Sequence, residues 1–161
     1  MKMQKSDIIN ILVDRGYSVF DLYHNQIALA VKKENLLNDL IFLRSIGFEH
    51  LSFITAVDFI DEGEFEVVYH IWSYTHKIHI LVKVRVDRNN PVVPTVIDLW
   101  EQSQFYEQEV HEFFGIKFEG NNDLSPLFLE NWVDIPPLRK DFDTREFSIR
   151  LYDAEVDGGD R

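Results

Sequence analysis

The chain has 161 residues, a formal net charge of −12 and no cysteine. The missing thiols exclude disulfides, cysteine-ligated iron–sulfur clusters and cysteine nucleophiles, and the negative charge argues against a nucleic-acid partner, whose phosphates require a basic face. With 45% apolar and 14% aromatic residues, the chain can bury a core. No apolar run approaches the roughly 20 residues that span a bilayer. The sequence therefore predicts a soluble, cytoplasmic protein that other subunits would have to hold at any membrane.

The first predicted elements are a short amphipathic helix, a hairpin and a second helix. Ser6 is the expected N-cap of the first helix, which runs to about Arg15. Residues 17–23 and 26–31 are rich in β-branched and aromatic side chains and predict two strands joined by a tight turn. Leucines at helical spacing predict a helix over residues 33–47.

Three further strands are predicted in the middle of the chain, over residues 50–60, 65–74 and 77–86. The last of these alternates between apolar side chains on one face and mostly charged or polar side chains on the other, which is typical of a half-buried antiparallel strand. The order of helices and strands predicts an α+β fold, a two-layer sandwich in which helices pack on one side of a mostly antiparallel sheet.

The character of the sequence changes after Gly115. The following 30 or so residues show neither a helical nor a strand period, although they carry many apolar side chains. We expect an α+β domain over residues 1–120 and an extended, partner-wrapping tail with an acidic end over residues 121–161, without a regular element after Asn121. The apolar side chains of this tail must be buried, either against their own domain or along a partner.

The stretch "FYEQEVHEFFGIKFEG" is the densest in the chain and predicts a helix over residues 103–114. On a helical projection Glu109 falls between Phe105 and Phe113, on the apolar face, while Gln108 points away from it and Glu112 lies at its edge. A buried carboxylate is costly unless it is paired. Glu109 is therefore either a general acid with a raised pKa or, as we favour, the partner of an arginine or lysine that locks two segments together.

That arginine or lysine is expected in "PPLRKDF". Two prolines stiffen this segment, Leu138 supplies an apolar anchor, and Arg139 or Lys140 could pair with Glu109. The alternative, a solvated turn, is weighed lower because the compact charges beside Leu138 resemble a docking segment.

Other candidate sites are weaker. His70, His76 and His79 could converge across a hairpin, but strand positions seldom place three imidazoles on one metal, and a structural or solvent-facing role is expected. "DEGE" is interpreted as a hairpin turn rather than a calcium loop, and no phosphate-binding loop, nucleophile elbow or zinc-protease motif occurs in the sequence.

The segments "RNNPVVPTVIDLW", "FYEQEVHEFFGIKFEG", "PLFLENW" and "PPLRKDF" resemble the 30 kDa (C or J) subunit family of proton-pumping NADH:quinone oxidoreductase, with related subunits in membrane-bound energy-converting hydrogenases and F420-dependent respiratory complexes. The family pattern reads E-R-E, two residues, D or E, two apolar residues and commonly G-I. Here Gln108 stands in place of its arginine, Asn121 in place of a downstream histidine, and Ser125-Pro126 in place of an arginine pair. The matching positions are Glu107, Glu109, Glu112, Phe113, Phe114, Gly115 and Ile116.

The resemblance implies a subunit without its own cofactor, metal or catalytic residues. It implies a peripheral position on the cytoplasmic side of a membrane complex, against the large (49 kDa-type or hydrogenase-type) subunit and a small iron–sulfur subunit. The partner subunits are expected to carry iron–sulfur clusters, with flavin or nickel–iron in some complexes. A free-standing acidic adaptor that binds one soluble protein through its tail is the alternative. The residues expected at the subunit interface or in the structural lock are Glu107, Glu109, Phe113, Phe114, Trp132, Pro137, Leu138, Arg139, Lys140 and Asp141.

Overall fold

The computed structural model describes the backbone of residues 2–157 and the side chains up to residue 152. The first helix, α1, spans Lys5–Asp14 and buries Ile8 and Leu12. Its N-cap is Gln4 and not the predicted Ser6. The Gln4 amide donates to the Asp7 carboxylate at 2.9 Å, so the helix begins one residue before Ser6.

The predicted hairpin and the three middle strands form one five-stranded sheet with the order β1-β2-β5-β4-β3. Within this sheet only β2 and β5 pair in parallel, and the other neighbours are antiparallel, which confirms a mostly antiparallel sheet. The strands are β1 Ser18–Asp21, β2 Gln26–Val31, β3 His50–Phe59, β4 Glu64–Ser73 and β5 Ile78–Asp87.

One face of this sheet carries the core. The side chains of β5 alternate as the sequence predicts, with Ile78 and Ile80 buried and His79 only half-buried. Helix α2, Leu36–Ser45, follows a single 3-10 turn and contributes Leu40 to the same core. Because α1, α2 and the helix described next all bury side chains in this one cluster, the fold has two layers and is α+β, as predicted.

Along the chain, helix α3 follows the short strand β6, Val92–Pro94, and precedes the short strand β7, Lys117–Glu119. These two strands pair in parallel with each other. It spans Ser103–Phe114, the bounds that the sequence predicts. Gly115 ends it with a φ of 78°, a left-handed conformation that favours glycine, and a Cβ at this position would lie 3.1 Å from Pro136. The absence of a side chain at Gly115 therefore leaves room for Pro136 of the tail at the end of α3.

A fourth helix, α4, spans Thr144–Asp157. The prediction of no regular element after Asn121 is therefore wrong. The Asp143 carboxylate accepts the amides of Arg145 and Glu146 at 2.9 and 3.0 Å and so caps the start of the helix. Residues 153–157 were expected within an irregular acidic end but continue α4, and residues 158–161 lie outside the described part of the chain. The division at residue 120 stays a prediction.

Candidate functional site: α3 and the docked tail

The three carboxylates that α3 carries have different environments. Glu107 is fully buried, Glu112 is half-buried and Glu109 is exposed. The prediction that Glu109 is buried is wrong because the helix turns a different face inward, and Phe105, which was expected inside, is 62% exposed. The face of α3 in the core carries Ser103, Glu107, Val110 and Phe114.

The buried acid of α3 is Glu107, whereas the sequence pattern predicts Glu109. One of its oxygens accepts the Val96 amide at 2.8 Å, and the other accepts the Thr95 hydroxyl at 2.6 Å and the Asn121 side-chain amide at 2.8 Å. Burial raises the pKa of Glu107, and these hydrogen bonds offset only part of that rise. Glu107 therefore ties α3 to the chain that follows β6 and to the chain that follows β7.

Glu112 binds the backbone of the tail. Its carboxylate accepts the successive amides of Leu127, Phe128 and Leu129, the first two at 3.1 Å. One turn earlier, Gln108 is buried rather than turned outward, and its amide donates to the Ser125 hydroxyl at 3.1 Å. Two of the residues that depart from the family pattern, Gln108 and Ser125, thus bind each other. A third, Asn121, binds the matching residue Glu107.

A cluster of alternating charges holds the "PPLRKDF" segment against the sheet. Arg88 forms a bidentate pair with Asp58 at 2.9 and 3.0 Å and a second pair with Asp141 at 2.7 Å. Arg139 closes on Asp141 at 3.0 Å, and the Lys140 amide donates to Asp58 at 2.8 Å. Neither Arg139 nor Lys140 pairs with Glu109, so that prediction is wrong; no sequence pattern indicates that Asp58 and Arg88 receive this segment.

The charges of this cluster are stabilised in their ionised forms. Burial alone would raise the pKa of Asp58, but hydrogen bonds from Arg88 and the Lys140 amide lower it below its ordinary value. The Arg139 hydrogen bond, together with that of Arg88 and against the effect of burial, holds the pKa of Asp141 far below its ordinary value. The tail is therefore fixed to the domain at neutral pH by fully ionised groups.

The tail also has a small aromatic cluster of its own. The Trp132 ring lies 5.5 Å from that of Phe142 and 4.9 Å from that of Phe147 in α4. The Trp132 indole N–H donates to the Ile135 carbonyl at 2.9 Å. These contacts join α4 to the irregular part of the tail, while Pro137 is half-buried in the turn before Leu138.

Several of the predicted residues meet at one cavity of about 310 Å³ between β3, α3 and the tail. We call it the α3 pocket. Leu138 is held at this cavity by its backbone amide, which donates to the Phe113 carbonyl at 3.0 Å. The Leu138 residue remains 55% exposed. Within the described side chains, Glu109 has no ion-pair partner. The pocket is lined by Phe53, Ile54, Thr55, Glu109, Val110, Phe113, Phe114 and Leu138.

The three strand and turn histidines do not converge. His70 Nε2 and His79 Nδ1 lie 3.0 Å apart on the open face of the sheet. His76 lies elsewhere, where its Nδ1 accepts the Met3 amide at 3.0 Å and its Nε2 lies 2.9 Å from the Ile46 carbonyl oxygen. Across the described side chains, no group of three or more histidine or carboxylate residues is arranged to hold a metal ion.

Comparison with known proteins gives a consistent result. Residues 29–148 match the family model described as "Respiratory-chain NADH dehydrogenase, 30 Kd subunit". The chain is 36% identical over 100 residues to the C subunit of F(420)H(2) dehydrogenase from Methanosarcina mazei, a match that covers 62% of this chain and 63% of that relative. It is also 36% identical over 124 residues to the C subunit of NADH-quinone oxidoreductase from Roseiflexus sp. (strain RS-1), a match that covers 74% of this chain and 71% of the relative. This chain thus spans slightly less than two thirds of the Methanosarcina protein.

The fold is shared with a chain in a solved respiratory complex. A chain in the structure of the membrane-bound sulfane sulfur reductase, described as an archaeal respiratory membrane complex, superposes with a TM-score of 0.80 at 28% identity, over 92% of this chain and 91% of that one. In the part of our chain that the structure describes, no helix is long and apolar enough to cross a membrane.

Proposed function

Because this chain belongs to the family of the 30 kDa subunit of respiratory-chain NADH dehydrogenase, we propose that it is a non-catalytic subunit of an ion-pumping, membrane-associated redox complex. In this proposal it lies in the hydrophilic arm, packs against the large catalytic subunit and a small iron–sulfur subunit, and supports their assembly. Its membrane contact runs only through partner subunits, on the cytoplasmic side.

The observation that carries this proposal is a set of exposed apolar side chains on α3 and the tail. Phe105 and Leu138 are more than half exposed, Phe128 is 65% exposed and Val133 is 95% exposed. Contiguous apolar patches mark interaction sites, and the Phe128 ring lies 6.0 Å from that of Phe113, which lines the α3 pocket together with Leu138. Glu112 holds the backbone of Phe128, and Asp58 holds the backbone two residues after Leu138 through the Lys140 amide. Little conformational entropy would then be lost on docking, which favours association.

We propose that the redox centres reside in the partner subunits. Iron–sulfur clusters are held by cysteine thiolates in most proteins, and this sequence has none. Glu107, the one buried acid of α3, has hydrogen bonds to both oxygens and faces structural groups. A general acid needs a substrate proton within reach, so a structural role for Glu107 agrees better with its surroundings. Iron–sulfur clusters, with flavin or nickel–iron, belong to the neighbouring subunits in this account.

The competing function is a free-standing acidic adaptor with one soluble partner. Size-exclusion chromatography of a mild-detergent membrane extract, followed by immunodetection of this chain, separates the two. We expect the chain to elute with a multi-subunit complex whose mass is many times its own 19.1 kDa. Elution as a small complex from a membrane-free extract would favour the adaptor.

A further inference from the structure

The α3 pocket contains one carboxylate that has no counter-charge among the side chains that the structure describes. Glu109 stands among the apolar side chains of Phe53, Phe113 and Leu138. The other carboxylates around it are satisfied within the chain: Glu107 by three donors, Glu112 by backbone amides, and Asp141 by two arginines. Glu109 differs from them because it has no ion pair among the described side chains.

The combination of apolar side chains and one carboxylate in the α3 pocket favours a basic side chain over an apolar one. An apolar side chain that filled it would remove the Glu109 carboxylate from water without a partner, which is unfavourable. A basic side chain would pair with that carboxylate, lay its aliphatic stem along Leu138 and place its cation near a phenylalanine face. Arginine suits this best because its planar guanidinium binds a carboxylate with two hydrogen bonds and stacks on aromatic rings.

The protein already uses this arrangement next to the pocket. The guanidinium groups of Arg88 and Arg139 lie 5.4 and 5.6 Å from the centre of the Phe65 ring while both pair with Asp141. The cavity of about 310 Å³ lies at the lower end of the roughly 300–1,000 Å³ of small-molecule sites, so it has room for one long side chain. The net charge of −12 further favours a cationic partner surface.

We propose that the α3 pocket receives a basic side chain, preferably arginine, from a partner subunit, and that Glu109 is its counter-charge. The inference rests on the proposed function, since it requires that this face is covered by a partner subunit. Phe105, one helical turn before Glu109 and also exposed, would lie at the edge of the contact.

The test uses the assembled complex, purified through an affinity tag on this chain. Glu109→Gln removes the charge at nearly constant size, and Glu109→Lys reverses it. The matched controls are Glu119→Gln and Glu119→Lys, because Glu119 is exposed on β7 and lines a different cavity beside Val92 and Leu37. The dissociation rate of this chain from the complex is measured between low and high KCl.

At low salt we expect the Glu109→Gln chain to dissociate from the complex about tenfold faster than the wild type, and the Glu109→Lys chain faster still, as for a charge pair that is buried at an interface. The dissociation rate of the Glu109→Gln chain should also depend less on the KCl concentration. Both Glu119 variants should stay within about twofold of the wild type, as expected for a charge outside the contact. In a second measurement, benzoylphenylalanine replaces Phe105 and is photo-crosslinked within the complex. The captured peptide should come from another subunit and contain an arginine or lysine.

Three outcomes would overturn the inference. These are wild-type dissociation of both Glu109 variants, a captured peptide without a basic residue, or a captured peptide from a second copy of this chain. If the wild-type chain copurifies with other subunits in those cases, the proposed function survives and only the role of Glu109 is wrong. If the wild-type chain copurifies with no other subunit, the proposed function itself fails.

Discussion

Replacing Glu107 with alanine should destabilise the domain far more than replacing Glu109, two residues away on the same helix. Glu107→Ala leaves the Val96 amide, which belongs to a fully buried residue, without an acceptor. An orphaned buried donor costs about 1–3 kcal/mol. The half-exposed Thr95 and Asn121 lose one bond each, at about 0.5–1.5 kcal/mol if water replaces them only in part. Alanine does not bear the cost of removing a carboxyl group from water, and this offsets part of the loss. We therefore expect the free energy of unfolding to fall by about 2–4 kcal/mol in total.

The assay is urea unfolding of the isolated chain, followed by circular dichroism. Glu109→Ala serves as the control, since removing an exposed side chain that forms no ion pair within the described part of the chain should change the free energy of unfolding by less than about 0.5 kcal/mol. Glu107→Gln should lose less than Glu107→Ala because its amide oxygen can still accept the Val96 N–H. Equal free energies of unfolding for the two alanine variants, or a larger loss for Glu109→Ala, would refute the account of the buried lock.

Three other changes test the docking of the tail. Glu112→Ala frees three backbone amides and should speed limited proteolysis of the tail about tenfold or more, through easier local opening, whereas Glu109→Ala should not; equal rates would contradict the anchor. The pKa of Asp141 lies below its ordinary 3.8, so its stabilisation is present above about pH 4 and lost as the pH falls through the lowered pKa. The difference in unfolding free energy between the wild type and Asp141→Asn should therefore shrink from pH 6 to pH 3, and a difference that grows would contradict the pairing. Gly115→Ala should cost about 1–2 kcal/mol in urea unfolding because of the left-handed φ, and an unchanged midpoint would show that the helix end tolerates a side chain.

Much of the domain could be predicted because its sequence patterns are local. The alternation of β5 and the leucine spacing of α2 each need only a few neighbouring residues to be recognised, and the end of α3 follows from Gly115. The N-cap at Gln4 does not follow from the sequence pattern because the cap depends on the Asp7 carboxylate and not on the residue type usually found at the N-cap.

The error in orienting α3 has a physical reason. A helical projection orients α3 by hydrophobicity alone, and on that measure Phe105 and Phe113 outweigh Ser103 and Glu107. The core instead accepts Glu107 because Thr95, Val96 and Asn121, which lie outside the helix at 11 to 14 residues from it, supply its hydrogen bonds. A buried polar group of this kind is decided by tertiary partners that no local pattern shows.

The docking of the tail depends on a contact between residues that are much further apart in the sequence. Asp58 and Lys140 are 82 residues apart, and nothing in the spacing of either segment predicts their hydrogen bond. The sequence did leave two possibilities for the apolar tail, its own domain or a partner. The structure places its backbone on the domain while Phe128, Val133 and Leu138 stay exposed, so the tail contacts the domain and still presents an apolar surface.

The most direct test of the central claim is affinity purification from membranes through a tag on this chain, with the copurified proteins identified by mass spectrometry. The account predicts a large catalytic subunit and a small iron–sulfur subunit in equal amounts with the full-length chain. A chain truncated before Asn122, which keeps the sheet, α1, α2 and α3, should fold and yet recover neither. Recovery of a single soluble protein, or of nothing, with the full-length chain would contradict the account.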